Sequence, residues 1–219
     1  MTERARVTAA RPRFRGLVHL GAFTVSLPLG VALSLAAPTA LARTAAVAFA
    51  ASVAAMFGVS SLFHRVHWEP VAKSRMAVLD HSMIYSLIAG TYTPFALLVL
   101  RAGWRAPVLA AVWTAAAAGI VAKLRWRTAP TWVAAGICIA IGWSAVIVLP
   151  QIVERIGLAG ASLVVVGGAA YTAGAVVYVR RRPDPFPQTF GYHEVFHTLV
   201  VVAVLCQYAA ISFFVVGPA

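Results

Sequence analysis

The stretch His193-Glu194-Val195-Phe196-His197, continued as TLVVVAVLCQYAAISFFV over 198–215, decides the fold. No charged residue follows His197. An apolar run of this length covers the roughly 20 residues that a helix needs to cross a bilayer core. Two histidines four residues apart open the run, so they share one face of that helix.

Similar runs fill the rest of the chain. The sequence has 219 residues, 61% of them hydrophobic and 11% charged, with a mean hydropathy of +0.85. Soluble domains carry about 25% charged residues. So little charge cannot cover a water-soluble surface of this size, and lipid is the expected solvent. Seven runs read as spans, at roughly 17–37, 44–64, 77–100, 105–122, 129–149, 157–179 and 193–215. The expectation is an all-α membrane protein of seven transmembrane helices, with a basic tail over 1–16 and one domain over 17–219. The fourth run is short for a span. Arg4 to Arg15 and the small residues Ala40-Leu41-Ala42 resemble the ends of a signal peptide. The apolar run between them exceeds the 7–15 residues of a signal core, so it reads as an uncleaved helix.

The net charge of +12 sits in short clusters between apolar runs, a pattern of membrane topology that argues against nucleic acid as a partner. Fourteen Lys and Arg fall on the side of the N-terminus. The opposite side holds four, Arg43, Arg101, Arg105 and Arg155. The positive-inside rule then places the N-terminus in the cytoplasm and the C-terminus outside. Pro94 is expected to kink the third helix. Gly168/Thr172 and Ala170/Gly174 suit close helix contact in the sixth. Cys138 and Cys206 lie in apolar runs and read as small buried hydrophobes.

Ionisable groups inside spans are costly and point to function. Here most of them share one depth. Ser60 and His64 end the second span, Asp80 and His81 begin the third, and His193 and His197 begin the seventh. The alternation of helices brings all six to the cytoplasmic end. His64, His193 and His197 offer three imidazoles, and three imidazoles plus a water make up one type of catalytic zinc site. Asp80 is the one carboxylate read inside a span. It either orients a histidine or holds and deprotonates the metal-bound water. His19 and His67 read as interfacial. His81 reads either as a neighbour of the ligands or as interfacial. Glu194 projects about 100° from His193 and reads as surface.

Taken together, Arg15-Gly16-Leu17-Val18-His19, the S-x-x-x-H of Ser60 and His64, Asp80-His81-Ser82-Met83-Ile84-Tyr85, Leu87 to Phe95, and the H-x-x-x-H of His193 and His197 resemble the bacterial hemolysin III family. That family is grouped with the progestin and adipoQ receptors, which include the adiponectin receptors. The resemblance runs from about Arg15 to the end of the seventh span. It implies seven helices with the N-terminus inside, in a bacterial plasma membrane. It implies zinc on His64, His193 and His197, with Asp80 and Ser60 acting around the zinc water. Similarity to alkaline ceramidases implies hydrolysis of a lipid amide. The long N-terminal extension of the animal receptors is missing, so a hormone-receptor role is not expected.

Three functions are thus in view. The leading one is a zinc-dependent lipid-amide hydrolase, and the second is a sensor in which the metal is structural. A pore-forming cytolysin comes last, because a conducting path needs polar groups at several depths and these are gathered at one end.

Overall fold

A computed structural model describes residues 12–217. Among these residues seven α-helices follow one another: α1 Leu17–Ala36, α2 Ala40–Arg65, α3 Pro70–Leu98, α4 Ala102–Arg125, α5 Thr131–Trp143, α6 Leu149–Arg180 and α7 Tyr192–Ala210. A 3₁₀ turn, Ser144–Ile147, extends α5, and a π-helical turn, Ile211–Val215, extends α7. Among the described residues the one β-type pairing is an isolated bridge between Phe186 and Phe190. The architecture is all-α.

Each helix matches one apolar run, and local chemistry sets the ends. The Thr39 side chain accepts from the Ala42 N–H at 3.1 Å, so α2 begins before its apolar run. Pro70 occupies the first turn of α3, where its missing N–H costs nothing. That helix therefore starts seven residues before the sequence-read 77 and carries Lys73 and Arg75 in its opening turns. Gly157, at φ 71°, interrupts α6 and divides an initial segment, 149–156, from the long run over 158–180. The break coincides with the sequence-read start of the sixth span. On the initial segment, Gln151 accepts the Arg101 N–H at 3.1 Å, and Glu154 meets the Arg101 guanidinium at 2.7 Å.

Consecutive helices pack on each other, and α7 also packs on α1, which closes the bundle. The core runs through Leu33, Phe49, Met56, Phe57, Leu87, Val200 and Val204. Close approach depends on small residues. A Cβ at Gly90 would collide with Ser52 of α2, and one at Gly174 would lie 3.3 Å from Phe196 of α7. The small-residue pattern of α6 serves two neighbours. Gly167 and Gly174 face α7, whereas Gly168 lies near Trp143 of α5 and Thr172 accepts that indole N–H at 2.9 Å.

The outward surface is strongly apolar. Leu158 is 77% exposed and Phe213 74%, as lipid-facing side chains would be. Among the described residues, five helices are long and apolar enough to cross a membrane: α1, α2, α4, α6, and α7 with its extension. Lys73, Arg75, Asp80 and His81 interrupt the apolar character of α3. With its 3₁₀ turn, α5 is a shorter apolar helix, Thr131–Ile147, of roughly 28 Å at standard rise. The chain is a multi-pass helical membrane protein. Both cysteines are free and half-buried. Arg4, Arg6 and Arg11 of the basic tail lie outside the described residues.

Candidate metal centre

Three helix ends build the site. The last turn of α2 presents His64, buried one turn beyond the buried Ser60. The third turn of α3 presents Asp80, whose side chain is 15% exposed. The first turns of α7 present His193 and His197, both buried on one face. One nitrogen from each of His64, His193 and His197 lies within 4.8 Å of the others. His64 Nε2 and His193 Nε2 are 3.2 Å apart. Two ligands at the ordinary zinc–nitrogen distance in a tetrahedron lie about 3.3 Å from each other. The donor set therefore fits a metal ion held by three imidazoles. Asp80 Oδ2 lies 3.9 Å from His64 Nε2, beside the cluster.

The sequence reading misplaced two residues. His19 was expected at the interface, but it is 2% exposed. Its Nδ1 is hydrogen-bonded to Ser60 Oγ at 2.9 Å, and its ring stacks on His197 with centroids 3.7 Å apart and planes 4° apart. The stack holds the His197 ring flat, and the hydrogen bond fixes the Ser60 hydroxyl. The α1 backbone comes this close because Gly16 precedes it at φ 78°, where a Cβ would sit 2.7 Å from His64 Cβ. His81 meets the Tyr178 hydroxyl at 3.4 Å, and the Tyr178 ring lies 5.5 Å from His193. It therefore touches the site through Tyr178. His67 is exposed.

Glu194 was expected at the surface, yet it is fully buried. It is thus a second carboxylate within the helices besides Asp80. Its Oε2 accepts the Gly191 N–H at 2.9 Å, and its Oε1 lies 2.6 Å from Arg15 Nε. The spacing Gly191-x-x-Glu194 is that of a helix-capping carboxylate, a signal present in the sequence. Residues before α1 reach the α6–α7 loop as well, since the Arg13 and Phe14 N–H groups donate to Gln188 and Thr189 carbonyls at 3.1 Å each. The Arg15–Glu194 pair thus ties the N-terminal segment to the turn that carries His193. Arg15→Leu strands a fully buried carboxylate and is expected to destabilise the protein by about 3–5 kcal/mol. Arg15→Leu/Glu194→Gln is expected to recover part of that loss. Thermal unfolding of the two variants in detergent checks this, and equal stability of both would refute it.

A cavity of about 310 Å³ leads away from the histidines between α3, α5, α6 and α7. Asp80, Ser60, His193 and His197 line one end, and Leu100, Val148 and Ile152 the other. Its volume lies at the lower end of the range for small-molecule pockets. Most of the wall between the two ends is apolar.

Residues 7–208 match a family model described as Haemolysin-III related. The chain belongs to this family. Among its relatives, the Hemolysin-3 of Bacillus cereus is 34% identical over 167 residues, covering 73% of this chain and 70% of the relative. The Hemolysin-3 homolog of Bacillus subtilis strain 168 is 30% identical over 157 residues, covering 72% and 70%. Haemolysin-III membership, these bacterial relatives and the multi-pass helices together place the chain in a bacterial membrane.

Proposed function

We propose that this haemolysin-III family member is a zinc-dependent hydrolase of a lipid amide. It has seven spans over one domain and a cytoplasmic N-terminus, and it is akin to the progestin and adipoQ receptors. One observation carries the reading: three buried imidazoles and a carboxylate stand at the end of a long apolar cavity. Such a cavity suits an acyl chain, and the polar end suits the bond at its head. The topology rests on the bias of fourteen cationic residues against four.

His64, His193 and His197 would hold the ion. When bound there, zinc polarises a carbonyl and brings the pKa of water to about 7. Asp80, beside the cluster, accepts a proton from the attacking water and returns it to the leaving amine nitrogen. The C–N bond breaks as the C–O bond forms, giving a fatty acid and an amine. Ser60, oriented by His19, hydrogen-bonds the reacting oxygen. The cavity wall excludes bulk water from the acyl chain.

Purified protein is expected to contain about one zinc per chain. It is also expected to release fatty acid from a ceramide or another N-acyl lipid in mixed micelles, read by lipid mass spectrometry. Stoichiometric zinc without release from any N-acyl lipid in a panel would favour a structural metal in a sensor.

A further inference from the structure

A second hollow lies on the outside of the bundle. Helices α1, α2 and α7 enclose a groove of about 390 Å³, and no residue lines both it and the cavity at the histidines. Phe49, Phe57 and Val204 form a buried floor, and Val25 and Leu205 an exposed rim. The groove therefore opens outward, on the apolar surface that faces lipid. Glycine makes the room. Nothing lies within 4 Å of where a Cβ on Gly21 would sit, and Gly21 lines the groove.

The wall asks nothing polar of an occupant. Ser26 and Tyr208 bring the only polar side chains, and both hydroxyls are already used. Ser26 donates to the Phe23 carbonyl at 2.8 Å, and Tyr208 to the Leu29 carbonyl at 3.0 Å. Along α1 the groove runs from Leu17 to Leu29, twelve residues or about 18 Å. The hydrocarbon of one leaflet is about 15 Å thick, half of the bilayer core. The groove thus has the reach of a single acyl chain within one leaflet.

Its Leu17 end lies at the level of the metal centre, since His19 stacks on His197. Cations stand at this end. Arg65 Cγ and Cδ lie 3.3 and 3.4 Å from where a Cβ on Gly16 would sit, so the Arg65 stem runs against α1 just before Leu17. Arg65 is exposed, as is Arg13 on the segment before α1. Among the described residues neither is in an ion pair, whereas Arg15 is taken by Glu194. No carboxylate lines the groove. An apolar slot one leaflet long, with unpaired cations at its head, has the form of a lipid tail under an anionic headgroup.

We infer that this groove binds one acyl chain of an anionic phospholipid from the leaflet on the metal-centre side, with the phosphate against Arg65. The chain braces α1, of which only His19, Gly30 and Leu33 are buried by the protein itself. Phe57, in the groove floor, packs edge-on against His19 with centroids 5.0 Å apart, so the brace reaches the residue that holds Ser60. The inference stands apart from any reading of the reaction. The test uses the full protein, stripped of lipid in detergent, and follows binding of phosphatidylglycerol and of phosphatidylcholine with the same chains by native mass spectrometry. Phosphatidylglycerol is expected to bind about fivefold more tightly, the worth of one cation beside an anionic lipid. Arg65→Gln is expected to abolish that preference and leave phosphatidylcholine binding unchanged. Gly21→Leu fills the groove without loss of helix propensity and is expected to weaken both lipids about tenfold. Gly136→Leu on α5, where a Cβ also meets nothing within 4 Å, is expected to weaken neither. Thermal unfolding of the stripped proteins checks that Gly21→Leu folds, and Val25→Phe at the exposed rim obstructs the groove by a second route. Equal binding of the two lipids, or full binding by both obstructed variants, overturns the inference. So does a stripped protein that dimerises and that Gly21→Leu makes monomeric, because the groove then seats a second copy.

Discussion

His197→Ala is expected to strip the protein of metal, from about one zinc per chain to trace amounts. His197 is one of three nitrogen donors in a cluster whose ligand atoms lie within 4.8 Å of each other. Two imidazoles on separate helices cannot replace the missing bond. Loss of an outer partner of a ligand already costs 10- to 100-fold in metal affinity, and loss of the ligand itself is expected to cost more. The substitution also removes the ring on which His19 stacks. Zinc stabilises whatever state binds it. Added zinc is therefore expected to raise the melting temperature of metal-stripped unaltered protein and to leave that of His197→Ala unmoved. Metal analysis and thermal scans read the two effects separately. Stoichiometric zinc in the variant would defeat the ligand assignment. His81→Ala serves as a comparison, because His81 meets Tyr178 and is not one of the three clustered imidazoles, so its loss is expected to leave zinc bound.

Asp80→Asn is expected to keep the metal and lose the reaction. Asparagine preserves the shape of the side chain and cannot accept the proton that general-base catalysis requires. Such groups contribute typically 10²- to 10⁴-fold. Turnover of the lipid amide is expected to fall by about that factor, with KM nearly unchanged. The 3.9 Å between Asp80 Oδ2 and His64 Nε2 puts the carboxylate next to the cluster and beyond hydrogen-bond reach of that ring. The two measurements therefore discriminate between roles. Zinc retained with turnover lost fits a base acting on water. Zinc lost as well would make Asp80 a direct ligand and close the open position on which catalysis depends. Unchanged turnover would remove Asp80 from the mechanism.

Much of this site is legible in the sequence. His64 closes one apolar run and His193 and His197 open another, so helix alternation sets them at one level, and the structure gathers those three. Asp80 interrupts an apolar run in the same manner. His19 has the same signature, lying early in α1, and was set aside because a single histidine at a helix end has many ordinary explanations. Only the 2.9 Å bond to Ser60 and the stack on His197 separate it from those. Glu194 was misread for a different reason. Its angular offset from His193 does point it away from the face that the two histidines share. That direction is not solvent, because Arg15 and the residues beside it fold across the turn and bury the carboxylate. Helix ends were shifted where a cap or a proline extends a helix past its apolar run, as at Thr39 and Pro70.

The opening stretch, His193 to Val215, marks the division. Hydropathy and helical period are local properties, so the sequence by itself determined that this run is a membrane helix and that its two histidines share a face. The side of the helix on which another element lies is decided by packing over long sequence distances. Only the tertiary structure could bring His64 within 3.2 Å of His193, or set Arg15 against Glu194. The cavity is of the same kind. It exists because α3, α5, α6 and α7 leave space between them, and no single helix encodes that space.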